Sequence, residues 1–233
     1  MASISSPYTV IVFCRFEGFF SKLLALMAMA IIPLTTKKAG YLFFKLMGSG
    51  GGLGFDIKPD FARYSYLSIW DSEQDFVQCL RTNRVFELYH FLAKEIEVYH
   101  LQPKQVHGTW GGKQPFTVLD TENDGNQLAV ITRATIKWKN ILTFHKHVPE
   151  VSRLVSEAPG HILSVGIGEW PFRFQATFSI WKTMKDMENY AYKNVAHVNM
   201  ITKTRSIGWY KEEMFARFIV LKKWTLKGSP RII

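Results

Sequence analysis

Only two of the 233 residues are cysteine, Cys14 and Cys79. They stand far apart with neither a Cys-x-x-Cys pair nor a metal-type spacing, which argues against a disulfide framework or a zinc site and makes a reducing compartment the expectation. Long apolar runs are also missing. The stretch Leu23 to Ile32 is bounded by Lys22 on one side and by Pro33, Lys37 and Lys38 on the other, and falls well short of the roughly 20 residues needed to cross a bilayer. It does not read as a signal peptide either, because a strand-like Tyr8 to Phe13 precedes it and Arg15 and Glu17 interrupt the approach. A buried or surface-docked helix is expected, on a cytoplasmic protein that is soluble or peripheral at the inner face of the cell membrane. Acidic residues are few as well: 19 against 29 basic ones give a formal charge of +10. Phosphates, anionic lipid head groups and carboxylated ligands are therefore better partners than cationic ones.

What the chain has in quantity is aromatic bulk. Hydrophobic residues make up 47% and aromatic ones 15%, with 18 Phe and 7 Trp, a globular composition rather than a disordered one. Most such rings fill cores, and some line large flat ligands. The most informative pattern is a hidden repeat. Ser68-Ile69-Trp70 recurs as Ser179-Ile180-Trp181, an offset of 111 residues. Carried along without a gap, that offset pairs Phe61 with Phe172, Asp75 with Asp186, Asn83 with Asn194 and Tyr99 with Tyr210, but Phe86 with His197. A duplicated supersecondary unit is implied, and the place where the copies differ is where chemistry is to be sought.

Each copy gives the same order of elements. In the second, Leu128 to Ile136 is a strand and Ile141 to Glu157 a helix broken by Ala158-Pro159-Gly160. Strands at His161 to Gly168 and Phe174 to Trp181, a helix from Lys185 to Arg205 ended by Gly208, and a strand at Glu213 to Leu221 complete it. The first copy has a strand at Tyr8 to Phe16, a mostly helical Phe19 to Leu46 broken at Pro33, and a turn at Gly48 to Gly54. Strands near Phe55 and at Tyr64 to Trp70, a helix from Glu73 to about Glu95 and a last strand before Gly111 follow. Both are β-α-β-β-α-β, the ferredoxin-like plan. The expected fold is α+β, with tandem ferredoxin-like repeats forming an intramolecular dimeric α+β barrel. Residues 1–112 are the N-terminal repeat, 113–127 a polar linker and 128–233 the C-terminal repeat.

Four segments carry a family resemblance. Phe43-Phe44-Lys45-Leu46-Met47-Gly48-Ser49-Gly50-Gly51-Gly52-Leu53-Gly54-Phe55, His107-Gly108-Thr109-Trp110-Gly111-Gly112, Gly166-Ile167-Gly168-Glu169-Trp170-Pro171 and Gly208 to Phe218 together resemble the spheroidene monooxygenases, a carotenoid-oxidising family. They span almost the whole chain in the same order. The resemblance implies a haem-dependent monooxygenase acting on a hydrophobic, carotenoid-type substrate. Dioxygen would be co-substrate and electrons would come from an external donor. In plan it is also similar to the dimeric α+β barrel haem proteins, in which a histidine on a helix of the C-terminal copy ligates iron. That lands on His197, whose neutral imidazole suits a proximal haem ligand. Glu169, Glu212 or Glu213 could orient it through its other ring nitrogen. Arg133, Arg205 and Arg217 are the cations of the second copy placed to meet haem propionates.

Competing readings rank lower. His145 and His147 point in different directions on one helix. His90, His100, His107 and His161 lie near element ends without the spacing of a two-histidine, one-carboxylate iron site. Cys14 sits in an apolar strand and reads as a buried thiol rather than a haem thiolate. The glycine-rich Gly48 to Gly54 lacks the Gly-Lys-Ser/Thr ending of a phosphate loop. Trp110, Trp170, Trp181 and Trp209 are candidates to line a cavity, with Trp181 structural by its equivalence to Trp70. No aromatic RNA-binding signature is present, so nucleic acid is not an expected partner. A homo-oligomer is compatible with the plan. The alternative function is a haem-binding protein, or another haem enzyme of dehydratase or peroxidase type, on the same barrel without carotenoid oxygenase activity.

Overall fold

In the computed structural model, residues 7–36, 40–51, 58–119, 127–170, 173–193 and 208–227 are described. The first copy contains β1 (Tyr8–Arg15), α1 (Phe19–Thr36), β2 (Phe43–Gly50), β3 (Pro59–Trp70), α2 (Glu73–Thr82), α3 (Arg84–Leu92) and β4 (Glu95–Gly108). The second contains β5 (Leu128–Ile136), α4 (Ile141–Ser156), β6 (His161–Trp170), β7 (Phe174–Trp181), α5 (Met184–Glu188), a π-helical turn Asn189–Lys193, and β8 (Tyr210–Lys227). Hydrogen bonding runs through these strands in the order β1-β3-β2-β6-β7-β5-β8-β4 and closes into a barrel. The α+β barrel of two ferredoxin-like repeats is therefore the fold.

By compactness the chain divides into two units. Unit 1 is Met1–Gly48, Asp60–Gln102 and Leu221–Ile233, and unit 2 is Ser49–Pro59 and Pro103–Val220. In unit 1, β1 lies between β3 and β4, antiparallel to both, with Tyr8 opposite Trp70. In unit 2, β5 lies between β7 and β8 in the same way, with Leu128 opposite Trp181. The two tryptophans are buried at matching strand ends, and the same chemistry follows each of them. The Ser72 hydroxyl accepts from the Asp75 amide (3.2 Å) and donates to its carboxylate (2.5 Å). Thr183 does so with Asp186 (3.1 and 2.7 Å). Each pair caps a helix start whose amides otherwise lack partners. Gly160 adopts φ +75°, and a Cβ there would run into the Asp186 side chain, so the cap of α5 depends on a glycine.

Several sequence expectations need correction. Pro33 does not break the first helix, since α1 runs through it to Thr36. Phe43 to Leu46 are strand, not helix, and Gly48 lies inside β2 rather than in a turn. The helix from Glu73 is two helices, because Asn83 (ψ 99°) leaves helical geometry and its side chain accepts from the Val85 and Phe86 amides to start α3. The gap-free offset also fails at the outer strands. Leu128 stands 120 residues after Tyr8, while both face the equivalent Trp. Tyr99 and Ala216, opposite the equivalent Ile11 and Ile131, are 117 apart, so Tyr210 is not the counterpart of Tyr99. Connections of unequal length absorb these slips. The expected strand at Phe55 lies outside the described residues, as do Phe172 and Asn194 of the repeat.

Candidate active site

Residues directly opposite on antiparallel strands share a face, so the registers map the helix-covered face of each sheet. In unit 1 the rows across β3, β1 and β4 are Tyr64–Cys14–Ile96, Tyr66–Val12–Val98 and Ser68–Val10–His100. Apart from the half-buried His100, all are buried, and α3 completes the packing. Phe86 meets Tyr66 edge-on at 5.2 Å and Phe44 at 6.0 Å. His90 lies 3.0 Å from the Tyr66 hydroxyl, and its imidazole is pushed down to about 3 by burial. Burial likewise raises the Cys14 thiol. Apart from the half-buried His100 and Phe44, the stack is filled by buried side chains.

The corresponding rows of unit 2, across β7, β5 and β8, are Gln175–Ala134–Glu213, Thr177–Thr132–Phe215 and Ser179–Val130–Arg217. Tyr64 and Tyr66 are replaced by Gln175 and Thr177 at the same offset of 111, and glycines Gly168 and Gly166 stand beside them on β6. Thr132, in the middle of the central strand, is exposed, and Gln175, Thr177 and Phe215 are only half-buried. A small, polar, open patch thus occupies the position that unit 1 fills with two tyrosines. Arg217 closes one side of it, 2.9 Å from the Tyr192 hydroxyl and 3.4 Å from Glu188, with its guanidinium over the Phe215 ring at 5.3 Å. Its Nε is buried without a hydrogen-bond partner among the described residues. The π-helical turn carrying Tyr192 leads directly toward residues 194–207.

Sequence reasoning placed four site residues here. His197 and Arg205 lie outside the described residues. Arg217 is on the open face. Arg133 is on the other face of β5, where it pairs with Glu212 and lies 3.9 Å from Glu169. That second cluster gathers three of the segments that carry the family resemblance. Glu212 accepts from the Thr109 hydroxyl (2.8 Å) and the Gly112 amide (2.7 Å), and Glu169 accepts from the buried Trp110 indole (2.6 Å). Burial alone would raise the Glu212 carboxyl, but the Gly112 amide, Thr109, Arg133 and the Gly111 amide outweigh it and hold it down to about 2. Gly108, at φ +80°, lets the chain pass so close to the Glu213 carbonyl that a Cβ would clash. The fourth segment joins through Ser49, whose hydroxyl donates to the Gly166 carbonyl at 2.9 Å. This cluster is an ion-pair lock whose two carboxylates are engaged with Arg133, Trp110 and Thr109, although the Arg133 Nε is itself buried without a hydrogen-bond partner among the described residues.

His145 is edge-on to Phe144 at 5.4 Å, and three further described histidines have local partners. His161 is 2.7 Å from Ser164 and edge-on to Trp181, His100 stacks on Tyr8 at 4.2 Å, and His107 meets Gln105 at 3.0 Å. Among the described residues no group of three His, Cys, Asp or Glu could hold a metal ion. A cleft of about 400 Å³ between the ends of α4 and α5 is lined by Glu157 and Asp186 without a cation, which suits no anionic cofactor.

Comparison with known proteins shows the family. Spheroidene monooxygenase of Rhodobacter capsulatus is 36% identical over 182 residues, covering 77% of this chain and 75% of that protein. The chain belongs to the spheroidene monooxygenase family. The enzyme of the same name from Cereibacter sphaeroides is 33% identical over 180 residues. There the aligned part is 77% of this chain but only 56% of the relative, so the chain spans little more than half of that protein's length. No protein-family model matches. Among solved structures, an aldoxime dehydratase crystallised with butyraldoxime superimposes with a TM-score of 0.61 at 10% identity, covering all of this chain and 86% of that one. At that identity the likeness concerns the fold alone.

The open face of unit 2 escaped the reading of the sequence, although the signal was present. The offset that exposed Phe86 against His197 also sets Tyr66 against Thr177 and Tyr64 against Gln175. A search confined to identical residues passes over such replacements.

Proposed function

We propose that this chain is a haem-dependent monooxygenase that oxidises a hydrophobic, carotenoid-type substrate in the cytoplasm, at the inner face of the cell membrane, with His197 as the iron ligand. Membership of the spheroidene monooxygenase family supports the reaction class. The single observation that carries the cofactor is the open face of unit 2. In unit 1, Phe86 packs over Tyr66, and the offset of 111 carries Phe86 to His197 and Tyr66 to Thr177. By that offset His197 would stand over a sheet face cleared of bulk, an arrangement suited to a flat macrocycle. Haem so held would supply the activation of dioxygen, with electrons from an external donor.

The chain's own residues would do the rest. Thr132, Thr177 and the β6 glycines leave the sheet flat enough for a planar group to lie on it. Arg217, its Nε unpartnered among the described residues, is the cation available on that face for a propionate, and Arg205 is the second by sequence. Phe215 and Tyr192 supply apolar flanks. The test is an absorption spectrum of protein produced with ample haem, before and after reduction under carbon monoxide, beside His197→Ala. A Soret band in the parent that is lost or displaced in the variant is expected, and a parent that stays colourless after reconstitution overturns the haem reading. A shift of that band on adding a lipophilic polyene separates an oxygenase from a haem carrier.

A further inference from the structure

We infer that the outer face of the α1–α3 pair is a docking surface for an anionic lipid bilayer. The inference concerns unit 1 and does not depend on what the open face of unit 2 binds.

The helix α1 is patterned inside out. An amphipathic helix on a soluble protein turns its large apolar residues inward and its charges outward. Here the buried positions are Ala25 and Ile32, with Ser21, Ala28 and Met29 half-buried beside them. Outward point Phe19, Phe20 and Leu34, exposed by 74, 77 and 67%, together with Leu23, Leu24 and Met27. These outward residues recur on a helical period and cover about half of the helix circumference. Only one of the 18 residues, Lys22, is charged. The neighbouring α3 extends the same surface with exposed Leu88 and Phe91. Single exposed leucines are ordinary, but a contiguous face of this size on two packed helices is not.

Charge selects the occupant. The Asn83 side chain meets Thr35 at 3.3 Å, and the Lys94 amide donates to the Arg15 carbonyl at 2.7 Å, so the start of α3 lies at the end of α1 and the pair runs antiparallel. Cations stand at both ends, with exposed Arg81 and Arg84 at one and Lys94 at the other. The sequence continues past α1 into Lys37-Lys38. Nearby acids are Glu17, paired to Lys94 at 3.5 Å, Glu87, and Glu95, which stands opposite Arg15 and pairs with Lys227 at 3.7 Å. A second copy on this face would bring like-charged rims together, whereas anionic head groups neutralise them. Among the described residues no helix is long and apolar enough to cross a membrane. An in-plane contact is the geometry that remains, with Phe19 and Phe20 at the head-group boundary.

The test is co-sedimentation of the full chain with phosphatidylcholine vesicles, with and without one quarter phosphatidylglycerol. The expected result is a partition about ten-fold stronger on the anionic vesicles, abolished in about 0.5 M salt. The variant Phe19→Ser/Phe20→Ser/Leu24→Ser touches only exposed positions, so its circular dichroism should be unchanged while its partition falls about ten-fold. Absence of sedimentation with either vesicle overturns the inference. So does a lipid-free mass of two chains that this variant halves, since the face would then belong to a second copy. Both readouts are independent of haem.

Discussion

The two sheet faces beneath the helices are built on one register and filled in opposite ways. Unit 1 places Tyr64 and Tyr66 on β3 and closes over them with Phe86, Tyr89 and His90, all buried. Unit 2 has Gln175 and Thr177 at the same places and leaves Thr132 on the central strand exposed. The shared caps at Ser72 and Thr183 and the buried Trp70 and Trp181 show that both copies keep the scaffold. What differs is the volume on the middle rows. A duplicated fold can hold one copy rigid as a packed body and relieve the other of its core, because stability and binding make opposite demands on the same surface.

Exchanging the residues between copies breaks the comparison most sharply. Thr177→Tyr gives unit 2 the side chain of unit 1, and the expected result is complete loss of haem uptake, read from the Soret band. Because Thr177 is only half-buried, unfolding free energy should change by no more than about 1 kcal/mol. The reciprocal Tyr66→Thr opens a cavity under Phe86 and removes the partner of His90. A loss of about 3–5 kcal/mol in urea unfolding is expected, with haem uptake retained. Equal effects of the two variants on haem would contradict the assignment of separate roles.

Acid sharpens the comparison with a smaller effect. The His90 imidazole lies at about 3 in the folded chain against 6.5 ordinarily. The unfolded chain therefore takes up its proton first, and this contribution to stability is complete above about pH 6.5 and drains away as pH falls toward 3. Glu212 is held at about 2 against 4.5, so its contribution is complete above about pH 4.5 and is lost between there and pH 2. His90→Gln should flatten the stability profile in the upper window and Glu212→Gln in the lower one, both followed by urea midpoints against pH. A flattening at the same pH in both variants would show that the two groups do not titrate separately.

The order of elements was legible because it depends on local chemistry. Leu128 to Ile136 is rich in β-branched residues, Phe174 to Trp181 alternates polar with apolar ones, and both have the boundaries expected of them. Pro33 misled because α1 tolerates a missing donor near its end. Phe43 to Leu46 read as helix because a short apolar run carries no period that separates helix from strand. Within the candidate site, Arg217 was legible as a cation, but its face was not. Parity along β5 and β8 decides which of Arg133 and Arg217 looks outward, and parity follows from pairing across more than 80 residues of sequence. The ion-pair lock of Arg133 with Glu169 and Glu212 was hidden for the same reason, since its members come from three strands and a turn.

The division of β8 has a consequence for how the protein is made. Its first part, to Val220, belongs to unit 2, while Leu221 onward belongs to unit 1. There Lys223 pairs with Glu97 at 3.0 Å, Lys227 with Glu95 at 3.7 Å, and Trp224 packs on the aromatic core. The N-terminal unit thus waits for residues that follow the whole of unit 2 along the chain. A ribosome emitting this chain would release unit 2 sequence before unit 1 could close. The half-built N-terminal body, with its outward phenylalanines, would have to be shielded from aggregation until the second part of β8 has emerged.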